Sequence, residues 1–220
     1  MSEPCASSTP VRLRTRLNTT TIMPIATIVV VIAIFQLLNP TFLSPQGIVT
    51  IVYAMSYFLI AACGLTLVIM MGSFDFSVVS VMKLSALLCV LYIEKIGLWI
   101  IPIAVAISAL IGLVNGVLFA KLKVPSFIAT LGISVVLDGI SQLSSKGFLH
   151  LLEHERFRSL SVTFIAGLPS IFYWALAIWV GCTVLSITTP FGRKIFAIGG
   201  NPKAAALCSI DVDGYRIAVF

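Results

Sequence analysis

Few residues in this chain are equipped for chemistry, and their spacing limits what that chemistry is. Asp75 stands as the one acid in a long apolar neighbourhood, with Ser77 two residues on. A carboxylate at membrane depth is costly, so it faces a cavity, a partner or an interface. It would either line a pathway or, as the simpler role, satisfy free N–H groups where a helix begins at Asp75 or Ser77. Lys83 follows two turns later. Its nearest acid is Asp75, eight residues away, so it reads as a lysine snorkelling to an interface. Gly112-Leu-Val-Asn-Gly116 has small residues four apart, which lets helices approach closely and places Asn115 to hydrogen-bond across the contact. His150-Leu-Leu-Glu153-His154 has the order in which two histidines ligate zinc from one helical face and a glutamate acts as base. A further carboxylate ligand would have to come from Asp211 or Asp213, both expected across the membrane. The stretch therefore reads as a solvated external loop, and no metal is assigned.

The richest polar segment is residues 191–213, FGRKIFAIGGNPKAAALCSIDVD. Arg193 and Lys194 come just after an apolar run, which marks a cytoplasmic membrane exit. Gly199-Gly200 reads as a break. Asn201 is suited to cap a helix and Pro202 to open it, because a missing N–H costs nothing at the first helical position. Lys203–Cys208 then reads as one short helix. A membrane protein that sets a small helix on its cytoplasmic face offers it to a soluble partner.

The elements that must position these residues are membrane spans. The chain has 220 residues, 59% hydrophobic and 10% charged, and no charge occurs from Leu17 to Phe74. A soluble domain carries about 25% charged residues. Helices are the default where lipid offers backbone groups no partner, and the apolar runs are continuous rather than alternating, which excludes a barrel. Residues 1–20 form a cytoplasmic lead. Spans are expected at 22–38, 48–70, 76–93, 98–120, 127–143 and 169–187, with a polar connection at 144–168. Tyr215–Phe220 looks like the start of a seventh span. The fold class is thus an all-α polytopic transmembrane bundle of about six complete spans, the membrane domain running over 21–220.

With the N-terminus inside, eight basic residues fall on inner segments (Arg12, Arg14, Arg16, Lys121, Lys123, Arg193, Lys194, Lys203). Four fall outside (Lys95, Lys146, Arg156, Arg158). That asymmetry favours a cytoplasmic N-terminus. The net charge of +6 follows from this topology, with no basic-aromatic interleaving to suit nucleic acid. The five cysteines are scattered, without CxxC spacing, and read as small apolar packers. No GxxxxGK[ST] occurs, so ATP is not bound by that route, and no cofactor is expected.

Three stretches in order carry a resemblance: MGSFDFSVVSVMKLSA at 71–86, VPSFIATLG at 124–132, and the 191–213 loop. They resemble the ribose-type ABC sugar permeases of the branched-chain amino acid and sugar permease family. The family patterns are GG-I-D-L-S-V-G-S, P-x-F-I-x-T-L-G and FGR-x-x-x-A-x-GGN-x-x-AA-x-x-x-GI. This chain departs from them with Ser73, Val79 and Ser209 at glycine positions. The resemblance covers the chain from about Thr41 onward and implies a non-enzymatic permease subunit in the bacterial inner membrane. It implies a separate ABC ATPase, an extracytoplasmic solute-binding protein and a second permease subunit. The residues expected to meet the ATPase are Gly199, Gly200, Asn201, Ala204, Ala205 and Leu207. Asp75, Ser77 and Asn115 are candidates for the pathway or its helix break. A crossing needs about 20 residues, so the abrupt end after Phe220 is read as a C-terminal truncation. Two alternatives stand beside the importer: a membrane metallopeptidase using His150, Glu153 and His154, and an inactive truncated permease.

Overall fold

The computed structural model describes residues 19–148 and 154–220. The chain divides into two compact units, Met1–Ile48 and Val49–Phe220. In the first, α1 (Thr19–Leu38) ends in a turn held by its own polar side chains. Asn39 Oδ1 accepts from the N–H and the hydroxyl of Thr41, and Gln36 donates to Pro40 O while accepting from the Leu43 N–H. Phe35 and Phe42 stack with ring centroids 5.6 Å apart. Asn39-Pro40 and Ser44-Pro45, both dipeptides that favour turns, bracket this tight corner.

The second unit takes up the rest of α2 (Pro45–Met70), then α3 (Val78–Ile96), α4 (Ile100–Ala120), α5 (Ser126–Ser145), α6 (Glu155–Val162), α7 (Ser170–Thr188), α8 (Pro190–Gly200), α9 (Pro202–Leu207) and α10 (Val212–Val219). Among the described residues, four stretches are long and apolar enough to cross a membrane: Pro45–Met70, Val78–Ala120, Ser126–Ser145 and Ser170–Thr188. The 43-residue stretch among them is two helices, α3 and α4, parted by a 3₁₀ turn at Gly97–Trp99. Gly97 has φ 65°, a left-handed conformation that a side chain resists, so the reversal sits there. The protein is an all-α polytopic membrane bundle, and its long helices lie within a few residues of the expected spans.

Within the expected connection, residues 154–168 are more ordered than a plain polar loop. His154 caps α6, its Nδ1 accepting the Phe157 N–H at 3.3 Å. A two-residue turn at Ala166-Gly167, both with positive φ, then joins a short antiparallel ladder of Phe164–Ile165 with Leu168–Pro169. His150 and Glu153 lie outside the described residues.

Candidate functional site

The helical path breaks between α2 and α3, at residues 71–77. Non-helical backbone at membrane depth must be satisfied by protein groups. Here α5 supplies them: the Phe74 N–H donates to Ser126 Oγ at 3.2 Å, and the Phe76 N–H donates to Thr130 Oγ1 at 3.1 Å. Thr130 is fully buried and passes its own proton to Ser126 O at 2.9 Å. Asp75 Oδ1 accepts from both the N–H and the hydroxyl of Ser77, at 2.7 and 2.6 Å. Ser77 Oγ in turn accepts from Asn115 Nδ2 of α4 at 2.8 Å. Asp75, Ser77 and Asn115, each a candidate from sequence for the pathway or its helix break, are therefore one hydrogen-bonded chain. Asp75 thus fixes Ser77, the N-cap residue of α3, through its N–H and hydroxyl, while no side chain caps the first N–H groups of the helix itself.

All three residues line a cleft of about 410 Å³ that also meets Ser108, Gly112 and Phe220. Asn115 is 1% exposed, yet its Oδ1 has no hydrogen-bond partner. A buried amide oxygen left free beside a carboxylate is an acceptor available to a polar molecule in the cleft. The small-residue spacing on α4 seats α10. A carbon added to Gly116 would lie 2.8 Å from Ile217 Cα, and one on Gly112 would collide with Phe220 O. The packing role read from the spacing is what the backbone shows.

The second site is α8–α9. Gly199-Gly200 does not break the helix; both residues belong to α8, and the break falls at Asn201, whose φ of −156° leaves the helical range. Asn201 Oδ1 accepts from the Lys203 and Ala204 N–H groups, each at 3.1 Å, and Pro202 opens α9. The six residues named for docking part company. Gly200, Asn201, Ala204 and Leu207 are exposed, and Leu207 is 88% exposed. Ala205 is 5% exposed and joins Met71, Ile195 and Ile198 in a core cluster. Gly199 faces inward too, because a carbon added to it would collide with Met70 O. The cause is helical periodicity: on a helix this short, one side must pack on α8 and α2, and Ala205 is on that side.

The loop is tied to the α4–α5 turn through Asp213. Lys123 Nζ donates to both carboxylate oxygens at 2.9 and 3.1 Å, and Arg216 stands 3.7 Å away. The Lys123 bond, with Lys121 and Arg216 adding attraction, holds the Asp213 carboxyl below its ordinary value against the opposing effect of burial. Arg216 also lies over the Phe119 ring at 4.6 Å.

A family described as the branched-chain amino acid transport system, permease component, matches residues 47–220. The chain belongs to that family.

Among curated relatives, this permease-family chain is 32% identical over 205 residues to the ribose import permease protein of Haemophilus influenzae. That match covers 88% of this chain and 62% of the relative. It is 30% identical to the L-arabinose ABC transporter permease protein of Azospirillum brasilense, over 87% of this chain and 57% of the relative. It is 31% identical to the ribose import permease protein of Escherichia coli K12, with 88% and 62% covered. The chain thus spans about three-fifths of the length of these relatives. No solved structure matches it. The family places transport ahead of the metallopeptidase alternative, and His154 already spends its Nδ1 on capping α6.

Two features of the permease escaped the sequence reading. Lys83 does not snorkel alone: it pairs with Asp138 of α5 at 3.2 Å. Asp138 is an acid within an apolar run, and helical charge spacing cannot find its partner because the pair joins residues 55 apart. Phe196 of α8 is 70% exposed. The amphipathic pattern of α8, with Ile195 and Ile198 inside, was the signal available for it.

Proposed function

We propose that this chain is the transmembrane permease subunit of an ATP-driven ABC importer for a sugar or similar small polar solute. It would lie in the bacterial inner membrane with its N-terminus in the cytoplasm. A separate ATPase subunit docks on α8–α9, an extracytoplasmic binding protein delivers solute, and a second permease subunit completes the bundle. The relatives named for ribose and L-arabinose make pentoses the first solutes to try.

The carrying observation is that the loop element abuts the intramembrane break. Ala205 of α9 and Ile198 of α8 pack with Met71, and Gly199 sits against Met70 and Gly72. Residues 72–77 follow directly, with Asp75 and Ser77 on the cleft. Displacement of α9 by a closing ATPase therefore has a contiguous packed route to the polar cleft. Leu207, apolar and almost wholly exposed, is the anchor such a partner would enclose.

Leu207→Asp tests this reading where Ala205 would not, since a charge at buried Ala205 disrupts the α8–α9 core. Loss of a hot-spot anchor costs about 2 kcal/mol or more, roughly thirtyfold in affinity. Capture of a co-expressed ABC ATPase should fall by that order, with membrane insertion unchanged. Undiminished capture removes α9 from the docking role. Labelling of a Lys203→Cys variant from outside intact cells would invert the topology and end the importer reading.

A further inference from the structure

The C-terminal half of α5 carries a polar stripe in an otherwise apolar helix. Ser134, Asp138, Ser141, Gln142 and Ser145 recur at helical spacing, so they share one face. Lys83 of α3 closes on that face, its Nζ 3.2 Å from Asp138 Oδ1, and the two side chains are 58% and 47% exposed. Asp138 is twelve residues along α5, about 18 Å from its start at 1.5 Å per residue, well inside the membrane. Val136 and Leu143, on the far side of the same helix, are 56% and 81% exposed and suit lipid. Ser141 Oγ is shielded and lacks a hydrogen-bond partner.

An ion pair turned outward at this depth would be costly against hydrocarbon. Five polar residues on one face, with apolar residues on the other exposed face, divide α5 into a wet side and a lipid side. We infer that the stripe from Ser134 to Gln142, with Lys83, is one wall of a water-filled pathway for a neutral polyhydroxylated solute. Lysine and aspartate cancel in charge while offering donors and acceptors beside serine hydroxyls and a glutamine amide. That combination suits many hydroxyl groups and gives no net attraction to an ion. The wall stands apart from the Asp75 cleft, which lies among α2, α3, α4 and α10. The inference rests on the importer reading for its solute class.

The test is thiol accessibility in the full membrane-embedded assembly, in open membrane fragments, with the five native cysteines replaced. Ser134→Cys and Gln142→Cys are compared with Val136→Cys, using cationic and anionic methanethiosulfonates. Charged reagents are excluded from hydrocarbon, so the stripe positions should react on the order of fiftyfold faster than position 136. After normalising to a free thiol, the two reagent signs should react at the same rate within about threefold, because the wall is neutral. Equal rates at all three positions, whether fast or slow, overturn the wet wall. A preference of about tenfold or more for one sign overturns the neutral solute class. These rates report water along α5 whether or not an ATPase binds at Leu207, so failure here is separable from failure of the importer reading.

Discussion

The break at residues 71–77 and the loop element α8–α9 solve one problem in two solvents. Each interrupts a helix and must satisfy freed backbone groups. At α9 the donor and acceptor are neighbours: Asn201 Oδ1 takes N–H groups two and three residues on. At the break they are strangers in sequence, with Phe74 and Phe76 donating to side chains 52 and 54 residues away and Asn115 reaching 38 residues to Ser77. Asn201 is exposed and Thr130 fully buried, so water can replace the first bond and nothing can replace the second. Identical chemistry is therefore cheap to lose in the loop and expensive in the membrane.

Thr130→Val breaks the comparison open most forcefully. Valine keeps the shape and removes the acceptor, leaving the Phe76 N–H with no partner where water cannot reach. The expected cost is about 2–3 kcal/mol, the upper part of the range for an unsatisfied buried donor. It should show as a lowered thermal unfolding midpoint in lipid nanodiscs and as faster amide exchange at Phe76, and Thr130→Ser should recover both. If Thr130→Val proves no worse than a loop substitution, the contrast between the two regions is wrong.

The same contrast explains which parts could be read from sequence. Hydropathy runs placed the long helices because burial in lipid selects residues one by one, without reference to partners. The Asn201-Pro202 start was legible because a cap is a local motif. The Gly112–Gly116 seam was legible as spacing, although the sequence could not say that α10 fills it. Lys83 was misjudged because its partner, Asp138, is on another helix. Ala205 and Gly199 were assigned outward because motif membership says nothing about which side of a short helix packs. Asp75, Ser77 and Asn115 were each identifiable as polar groups in apolar runs, but their joining into one chain depended on the register of α3 against α4.

Asn201→Ala probes the cheap side of the comparison. It removes the acceptor for two N–H groups that water can reach, so the expected loss is about 1 kcal/mol, the usual worth of an N-cap. The effect should be local: amide exchange at positions 203–208 quickens, while the global midpoint shifts less than for Thr130→Val. Asn201→Ser should restore most of the protection, since serine caps nearly as well. An equal loss of global stability would mean that α9 is part of the membrane core and not an appended element.

Asp213 gives the smallest and most conditional effect, and its sign is fixed by the direction of its shift. Lys123 holds the folded-state carboxyl below its unfolded value, so the pair adds stability above the ordinary carboxylate value and loses it as pH falls through the lowered one. Lys123 is 62% exposed and Asp213 30%, so solvent and salt limit the contribution to about 0.2–1 kcal/mol. Asp213→Asn should therefore cost that little near pH 7, and the gap to the parent protein should shrink in added salt. It should also narrow as pH falls below the ordinary carboxylate value of about 4 and close only below the lowered folded-state value, where both chains carry an uncharged side chain at 213. Thermal unfolding across that pH range measures it. A gap that persists in acid would assign the Asp213 contribution to packing against the α4–α5 turn, because a charge-dependent bond to Lys123 cannot survive protonation.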